Sequence, residues 1–259
     1  MLALQGVAVL VTRPEQQATP LCRLLESRGA TAIRLPALQI KPAGDRRELM
    51  AAVNPIEAFD LIIFTSSNAV RFGASLLGQH RDLQVAAIGP ATARALDQAG
   101  IRVTVAPAHG FDSENLLAHP ELERAAGRRV LIVKGTRGRE LLQEQLAGRG
   151  AQVILAEVYE RRRATPGMER LAALETAFGA GEIQVITATS VEIAASLLEL
   201  ATPALRREFD RVHWLVPSAR VGAALRERGV TARILQADSA EDHDLVAAIE
   251  RWRSSVSGA

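Results

Sequence analysis

The sequence predicts an α/β fold with parallel sheets in which one α/β unit occurs twice. Short apolar runs rich in β-branched residues alternate with amphipathic helical patterns along all 259 residues. These runs are apolar on both faces, which is typical of parallel strands covered by helices on both sides. Residues 6–38 also align without a gap with residues 127–159, and nine of the 33 aligned pairs are identical. This length allows two small domains or one large one.

The first copy is predicted as alternating strands and helices. In chain order they are strand Val7–Thr12, helix Gln16–Arg28, strand Thr31–Leu35, helix Asp45–Val53, strand Leu61–Thr65, helix Asn68–Leu77, strand Gln84–Ile88, helix Ala91–Ala99, strand Arg102–Val105 and helix Ser113–Ala118.

The second copy repeats this order, with helices between its strands and a last helix at Asp242–Arg253. Its strands are predicted near Val130–Val133, Gln152–Ala156, Gln184–Thr187, Val212–Val216 and Ala232–Leu235. Glycines at matching positions of the two copies stand where helices should end, at Gly29, Gly100, Gly150 and Gly229.

Composition excludes several classes of protein. No apolar run approaches the ~20 residues that a membrane-spanning helix needs, and the N-terminus lacks the features of a signal peptide. The single cysteine, Cys22, excludes an internal disulfide and favours a cytoplasmic protein. The five histidines lack metal-ligand spacing, so no metal is expected. Aromatic residues make up only 3% of the chain, which argues against binding of single-stranded nucleic acid.

The basic residues are almost all arginine, because Lys41 and Lys134 are the only lysines among 31 basic residues. Codon usage in a GC-rich genome explains this bias without a function. The alternative is a surface for carboxylates or phosphates, which the guanidinium group fits well.

No glycine-rich nucleotide loop is present. The glycines at 135 and 138 indicate a tight turn or, less specifically, a phosphate cradle. Lys134, Arg137 and Arg139 flank them at the start of a predicted helix, where an anion can bind.

Hydroxyl residues follow several predicted strands. Ser66 or Ser67 in FTSSNAV, and Ser190 in the second copy, suit helix N-caps. The ends of parallel strands are also where ligands bind in open α/β sheets. Thr92 lies in the first turn of the helix after the Gly89-Pro90 turn, and capping and ligand binding remain open for it as well.

Tyr159 is the only tyrosine and precedes three consecutive arginines. It is either a buried or interface phenol or a general acid beside an anionic substrate.

Together these stretches resemble the uroporphyrinogen-III synthase family. The similar segments span almost the whole chain in the family's order; they are VLVTRPE, FTSSNAV, AIGPATARALDQAG, LIVKGTRGRELL, VYERR and TATSVE. The resemblance implies an enzyme that closes hydroxymethylbilane into uroporphyrinogen III with inversion of ring D. It implies no cofactor, no metal, no nucleic acid and no membrane partner, and we expect a monomer.

The resemblance also implies a division of the chain that the repeat alone does not. One domain would combine residues 1–36 with 164–259, and the other would comprise residues 41–158. Residues 37–40 and 159–163 would form a two-segment linker, with the active cleft between the domains.

The resemblance assigns roles to individual residues. Tyr159 would assist loss of the substrate hydroxyl, and Ser66, Thr92 and Ser190 would contact the substrate. Val221 stands where related enzymes carry a threonine, and Ser218, which aligns with Gly89, is its potential replacement. The side-chain candidates for the substrate carboxylates are Arg13, Lys134, Arg137 and Arg139.

Two other hypotheses stay open from the residues. One is a two-lobed α/β protein that binds a small molecule without catalysis. The other is a nucleotide-using Rossmann enzyme, which the missing glycine fingerprint disfavours.

Overall fold

The computed structural model describes residues 2–80, 82–107, 109–110, 112–138 and 140–257. Within these ranges the strands are β1 (Ala8–Val11), β2 (Thr31–Arg34), β3 (Leu38–Pro42), β4 (Leu61–Phe64), β5 (Val85–Ala87), β6 (Arg129–Gly135), β7 (Gln152–Arg163), β8 (Val185–Thr187), β9 (His213–Val216) and β10 (Ile234–Gln236). The α-helices are α1 (Glu15–Ser27), α2 (Arg46–Ala52), α3 (Ser67–Gly73), α4 (Pro90–Gln98), α5 (Ser113–Leu117), α6 (Pro120–Glu123), α7 (Leu141–Gly148), α8 (Met168–Gly179), α9 (Val191–Leu200), α10 (Pro203–Phe209), α11 (Ala219–Glu227) and α12 (Asp242–Ser257).

The chain divides into two compact units. Unit 1 comprises Met1–Gln39 and Arg162–Ala259, and unit 2 comprises Ile40–Arg161. The sheet with strand order β10-β9-β8-β1-β2 belongs to unit 1, and the sheet with order β3-β7-β6-β4-β5 is centred on unit 2. The pairings β1–β2, β1–β8, β8–β9, β9–β10, β4–β5, β4–β6 and β6–β7 are parallel. The predicted α/β class with parallel sheets is confirmed; the internal duplication stays a prediction.

Each sheet has an apolar core on both faces, as alternating side chains require. In β4, Ile62 and Phe64 pack with one cluster while Leu61 and Ile63 pack with the other. Helix α1 shows the corresponding helical pattern, because its buried residues Ala18, Leu21, Cys22 and Leu25 form one stripe. Burial of both sheet faces explains why these strands are apolar throughout.

Glycine at helix ends turns the chain back toward the sheet. Gly29 after α1 and Gly150 after α7 have φ angles of +89° and +87°, which only glycine adopts readily. These turns match the predicted C-caps. They lead directly into β2 and β7.

Two predicted elements of unit 2 are shorter in the structure. Residues Arg102–Val105 form only a single bridge, between Val105 and Ala86, rather than a strand. The hydroxyl of Thr104 accepts a hydrogen bond from the backbone N–H of Val85 at 3.0 Å. Such a side-chain bond competes with the backbone hydrogen bonds of a regular β-ladder. The predicted helix Asn68–Leu77 ends as α3 at Gly73 and continues as a 3₁₀ turn over Ala74–Leu77.

Strand β7 is longer than predicted. It extends to Arg163, where the sequence predicts a strand ending at Ala156 and a linker from residue 159. The extension forms because β7 stays paired with β6 as far as Gly135 and Tyr159, and the N–H of Thr136 donates to the carbonyl of Tyr159 at 2.9 Å. Tyr159 lies in this strand and packs in the core of unit 2, and the predicted linker of residues 37–40 and 159–163 stays a prediction.

None of the described helices combines the length and apolar composition that crossing a bilayer requires.

Candidate functional site

The site in unit 2 is built at the carboxyl ends of three adjacent strands. The chain passes from β4 into α3, from β5 into α4, and from β6 through a short loop toward α7. Because parallel strands end at the same edge of a sheet, Ser66, Gly89 and Lys134 follow or end neighbouring strands there. This is the usual position of a ligand site in an open α/β sheet.

A cleft of about 240 Å³ lies at this edge, and its described lining residues all belong to unit 2. Its polar wall includes Thr65, Ser66, Ser113, Lys134, Arg137, Gln143, Tyr159 and Arg161. Three of these residues are cationic and none is acidic, so the cleft suits an anionic group.

Ser66 has two bonds at this cleft. Its Oγ caps α3 by accepting from the N–H of Ala69 at 3.1 Å, which confirms the predicted N-cap. The same Oγ lies 3.2 Å from the hydroxyl oxygen of Tyr159. Because a hydroxyl has one proton and two lone pairs, Ser66 can keep the cap while it donates to or accepts from Tyr159.

The ring of Tyr159 is buried, with only 5% of the residue exposed, and belongs to the core of unit 2. It is stacked with Phe72 at a centroid distance of 6.1 Å and lies against Gly135. Tyr159 also lines the cleft, and its role toward a substrate stays a prediction. The ring is a core group, and its polar end reaches Ser66 on the wall of the cleft.

Lys134 is the buried cation of the site. Only 9% of it is exposed, and within the described part of the chain it has no hydrogen bond or ion pair. Its ammonium nitrogen is not among the described atoms that are both buried and unsatisfied, and Lys134 lines the cleft. Arg137, on the loop that follows, is exposed. Arg139, the third predicted basic residue, lies outside the described residues.

The turn before α4 leaves backbone donors available. Gly89 is the N-cap of this helix and has no side chain to cap it, and Pro90 occupies the first turn. Thr92 is 3% exposed, and no hydrogen bond joins its side chain to another described residue. Thr92 does not cap the helix, so ligand binding is the one of its two interpretations, capping and ligand binding, that stays open. It does not line the 240 Å³ cleft.

The corresponding turns of unit 1 are simpler. Ser190 caps α9 through a 3.1 Å bond from the N–H of Ile193, as predicted. Ser218 precedes α11 without a side-chain cap. Val221, the residue that departs from the family's threonine, is 2% exposed and packs in the apolar core.

Arg13, expected to contact the substrate, is engaged inside unit 1. Its guanidinium forms an ion pair with Asp242, donates to the carbonyl of Ala240, and lies 3.4 Å from the hydroxyl of Thr189. These bonds join the end of β1 to the start of α12. Because its donors are occupied, we leave Arg13 out of the site.

Three residues near the site were not predicted. Asn68, in the first turn of α3, is 9% exposed, and no hydrogen bond joins its side chain to another described residue. It stands within the FTSSNAV motif, where its polarity was the available signal. No sequence pattern indicates a role for Phe72, because its contact with Tyr159 joins distant parts of the chain. For Gly135 the sequence indicates a tight turn or a phosphate cradle, and not a contact with the ring of Tyr159.

In the described part of the chain, no group of three or more His, Cys, Asp or Glu side chains is placed to hold a metal ion. The chain therefore combines two α/β units, each with a parallel sheet, and a cationic cleft at the strand ends of unit 2. These features define an α/β protein with a site suited to an anionic small molecule.

Comparisons with known proteins identify the family. The family model described as uroporphyrinogen-III synthase HemD matches residues 20–247. The uroporphyrinogen-III synthase of Escherichia coli K12 is 31% identical over 256 residues, covering 94% of this chain and all of that protein. A putative uroporphyrinogen-III synthase of Methanothermobacter thermautotrophicus is 30% identical over 234 residues, covering 86% of this chain and 90% of that protein. The chain belongs to the uroporphyrinogen-III synthase family, an enzyme family of tetrapyrrole biosynthesis.

Solved structures agree on the fold. The uroporphyrinogen-III synthetase of Helicobacter pylori 26695 matches with a TM-score of 0.61 at 14% identity, over 95% of this chain and 99% of that one. A mutant uroporphyrinogen III synthase of Thermus thermophilus matches with a TM-score of 0.59 at 23% identity, over 98% of this chain and all of that one.

Proposed function

We propose that this chain converts hydroxymethylbilane into uroporphyrinogen III, with loss of water and inversion of ring D. The observation that carries this proposal is the match to the family over residues 20–247. The cleft in unit 2 adds support, since it combines a phenol, a serine and cationic groups, among them Lys134, which has no partner in the part of the chain that the structure describes. Because the net reaction eliminates water, we place the enzyme among the lyases.

The first step is loss of the substrate hydroxyl. The hydroxymethyl group takes up a proton, its C–O bond breaks, and water leaves an azafulvene cation. We assign the proton donor as Tyr159, which lines the cleft and whose hydroxyl contacts Ser66, another lining residue. Ser66 lies 3.2 Å away and can donate to the phenolate that remains, which stabilises that charged form.

The second step joins the ends of the chain. The cation is attacked by the substituted carbon of ring D, a spiro intermediate forms, and its reopening and reclosure invert that ring. The final loss of a proton restores aromaticity and can return the proton to Tyr159. The enzyme's main task is to hold the linear tetrapyrrole so that this closure precedes the direct one, which is catalysis by positioning.

The enzyme positions the substrate by binding its carboxylates. In our proposal Lys134 and Arg137 meet carboxylates at the unit 2 cleft, where Lys134 lacks a partner among the described residues. The uncapped backbone N–H groups that follow Gly89, beside Thr92, serve a further carboxylate at the N-terminus of α4. The turns at Ser190 and Ser218 remain predictions for the same role.

Isomer analysis of the product tests this function. The purified protein is incubated with hydroxymethylbilane, and the uroporphyrinogen isomers are oxidised and separated by chromatography. Isomer III should form well above the rate of closure in heat-inactivated protein. If the product is the unrotated isomer I at the background rate, the chain is a binding protein and the proposal fails.

A further inference from the structure

We propose that Gly135 is a positioning residue, which places the Tyr159 hydroxyl at Ser66 by letting the phenol ring lie directly on the end of β6. This inference rests on the proposed acid role of Tyr159. It extends that role to a residue that contributes no chemical group.

The geometry leaves no room for a side chain at position 135. A Cβ on Gly135 would lie 2.7 Å from Cζ of Tyr159, 2.9 Å from Cε2 and 3.1 Å from Cε1. These atoms form the hydroxyl-bearing end of the ring. Gly135 has no positive φ angle, so contact with the ring, and not backbone conformation, accounts for glycine here.

The ring cannot move away without losing other contacts. It is stacked with Phe72 at an interplanar angle of 25°, and its hydroxyl is held at Ser66. Tyr159 is 5% exposed within the core of unit 2, so a shift of the ring would disturb packed neighbours.

The backbone beneath the ring is also fixed. The register of the β6–β7 pairing shifts between Lys134 and Gly135, so that Gly135 pairs with Tyr159 itself. The N–H of Thr136 then donates to the carbonyl of Tyr159 at 2.9 Å. With both backbones tied together, a methyl group at position 135 displaces the ring rather than the strand.

A spectroscopic test uses the fact that Tyr159 is the only tyrosine of the chain. Protein labelled with ζ-¹³C tyrosine should give a single ring resonance, and Gly135→Ala should shift it. Gly148→Ala is the matched control in the same unit, because its Cβ would meet nothing within 4 Å. The control should leave the resonance in place. An unchanged resonance in folded Gly135→Ala overturns the inference.

A kinetic test asks whether the effect passes through the hydroxyl. Gly135→Ala should lower kcat by about 10- to 100-fold with a smaller change in KM, because a displacement of about 1 Å at a reacting group can cost about 100-fold. In the Tyr159→Phe background the same substitution should cost less than about twofold, because the hydroxyl is already absent. Equal losses in both backgrounds would indicate general disruption and overturn the inference.

A stability test covers the case in which Gly135→Ala does not fold. Tyr159→Leu removes the ring atoms that the new methyl group would meet. Gly135→Ala in that background should fold as well as Tyr159→Leu alone, whereas failure to fold would show that the ring is not what excludes a side chain at position 135. Formation of isomer I at the background rate by the unmodified protein would instead refute the proposed function, a result separate from all three of these readouts.

Discussion

The ends of the strands differ between the two units in how their buried polar residues are satisfied. In unit 1, Thr12 and Thr187 bond to each other's backbone across β1 and β8, and Arg13 is paired with Asp242. In unit 2, no hydrogen bond joins the side chain of Lys134 or Thr92 to another described residue, although both are at least nine-tenths buried.

The contrast is sharpest at one aligned pair of positions. Arg13 at the end of β1 aligns with Lys134 near the end of β6 in the sequence repeat. The arginine is neutralised by an acid at the start of α12, while the lysine faces a cleft without an acidic lining residue among those described.

This difference supports our proposal that carboxylates bind at the strand ends of unit 2. Unit 1 uses its strand-end polar groups to hold itself together, whereas unit 2 leaves Lys134 at the cleft without a partner among the described residues. Two residues that align in the sequence repeat, such as Arg13 and Lys134, therefore need not have the same role. The partner that each side chain finds decides whether it stabilises the fold or binds a ligand.

Replacing Lys134 gives the largest expected effect. Lys134→Met should lower kcat/KM by about 10- to 150-fold, which corresponds to about 1.5–3 kcal/mol for a hydrogen bond to a charged group. The free energy of unfolding should change little, because Lys134 has no hydrogen bond or ion pair to another described residue. Steady-state kinetics with hydroxymethylbilane and denaturant unfolding measure the two quantities.

Arg13→Met is the control from unit 1. It should lower the free energy of unfolding by about 2–3 kcal/mol, less than the about 3–5 kcal/mol of a fully buried pair, because the Asp242 side chain is 29% exposed. The kcat/KM of the folded protein should stay within about twofold of the original, since only structural bonds are lost. If Arg13→Met lowers kcat/KM as much as Lys134→Met does, the contrast between the units fails.

Removing the phenol hydroxyl comes next in size. Tyr159→Phe should lower kcat by about 10- to 100-fold, at the lower end of the about 10²- to 10⁴-fold range of general acids, because the substrate hydroxyl leaves readily. The fraction of isomer III in the product should be unchanged, because the groups that position the substrate are still present. A variant with the original kcat would remove the acid role and leave Tyr159 as a core residue of unit 2.

The sequence predicts the alternation of strands and helices because buried parallel strands and amphipathic helices have clear periodic patterns. It also predicts the caps at Ser66 and Ser190, which depend on neighbours in the chain. It does not predict that Arg13 pairs with Asp242 or that Tyr159 lies on Gly135 beside Phe72. Those contacts join residues far apart in the sequence, and local patterns carry no information about them.

A matched pair of serines gives a smaller effect. Ser66→Ala and Ser190→Ala should each lower the free energy of unfolding by about 1 kcal/mol, because each removes a helix N-cap. Ser66→Ala should also lower kcat by about 2- to 10-fold through the lost bond to Tyr159, which is worth about 0.5–1.5 kcal/mol. Ser190→Ala should lower kcat less than Ser66→Ala does, because the hydroxyl of Ser190 caps α9 and has no bond to Tyr159. Equal kcat losses in both variants would mean that the hydroxyl of Ser66 has no special connection to Tyr159.

The smallest effect concerns the dependence of stability on pH in unit 1. Burial lowers the pKa of His213, and the nearby Arg233 guanidinium lowers it further. The imidazole packs against Trp252 at a centroid distance of 4.8 Å. The folded state therefore binds a proton less readily than the unfolded chain, whose histidine pKa is about 6.5.

The sign of the effect follows from this difference in proton binding. Above pH about 6.5 both states hold a neutral His213, and its stabilising contribution is complete. As the pH falls from there toward the lowered pKa, the unfolded chain gains a proton that the folded protein does not, so the free energy of unfolding decreases. Denaturant unfolding of His213→Gln at pH 7 and pH 5 should show a smaller decrease than the original protein. His243→Gln, whose side chain is 76% exposed, is the control, and an equal decrease in His213→Gln and the original protein would exclude His213 as the cause.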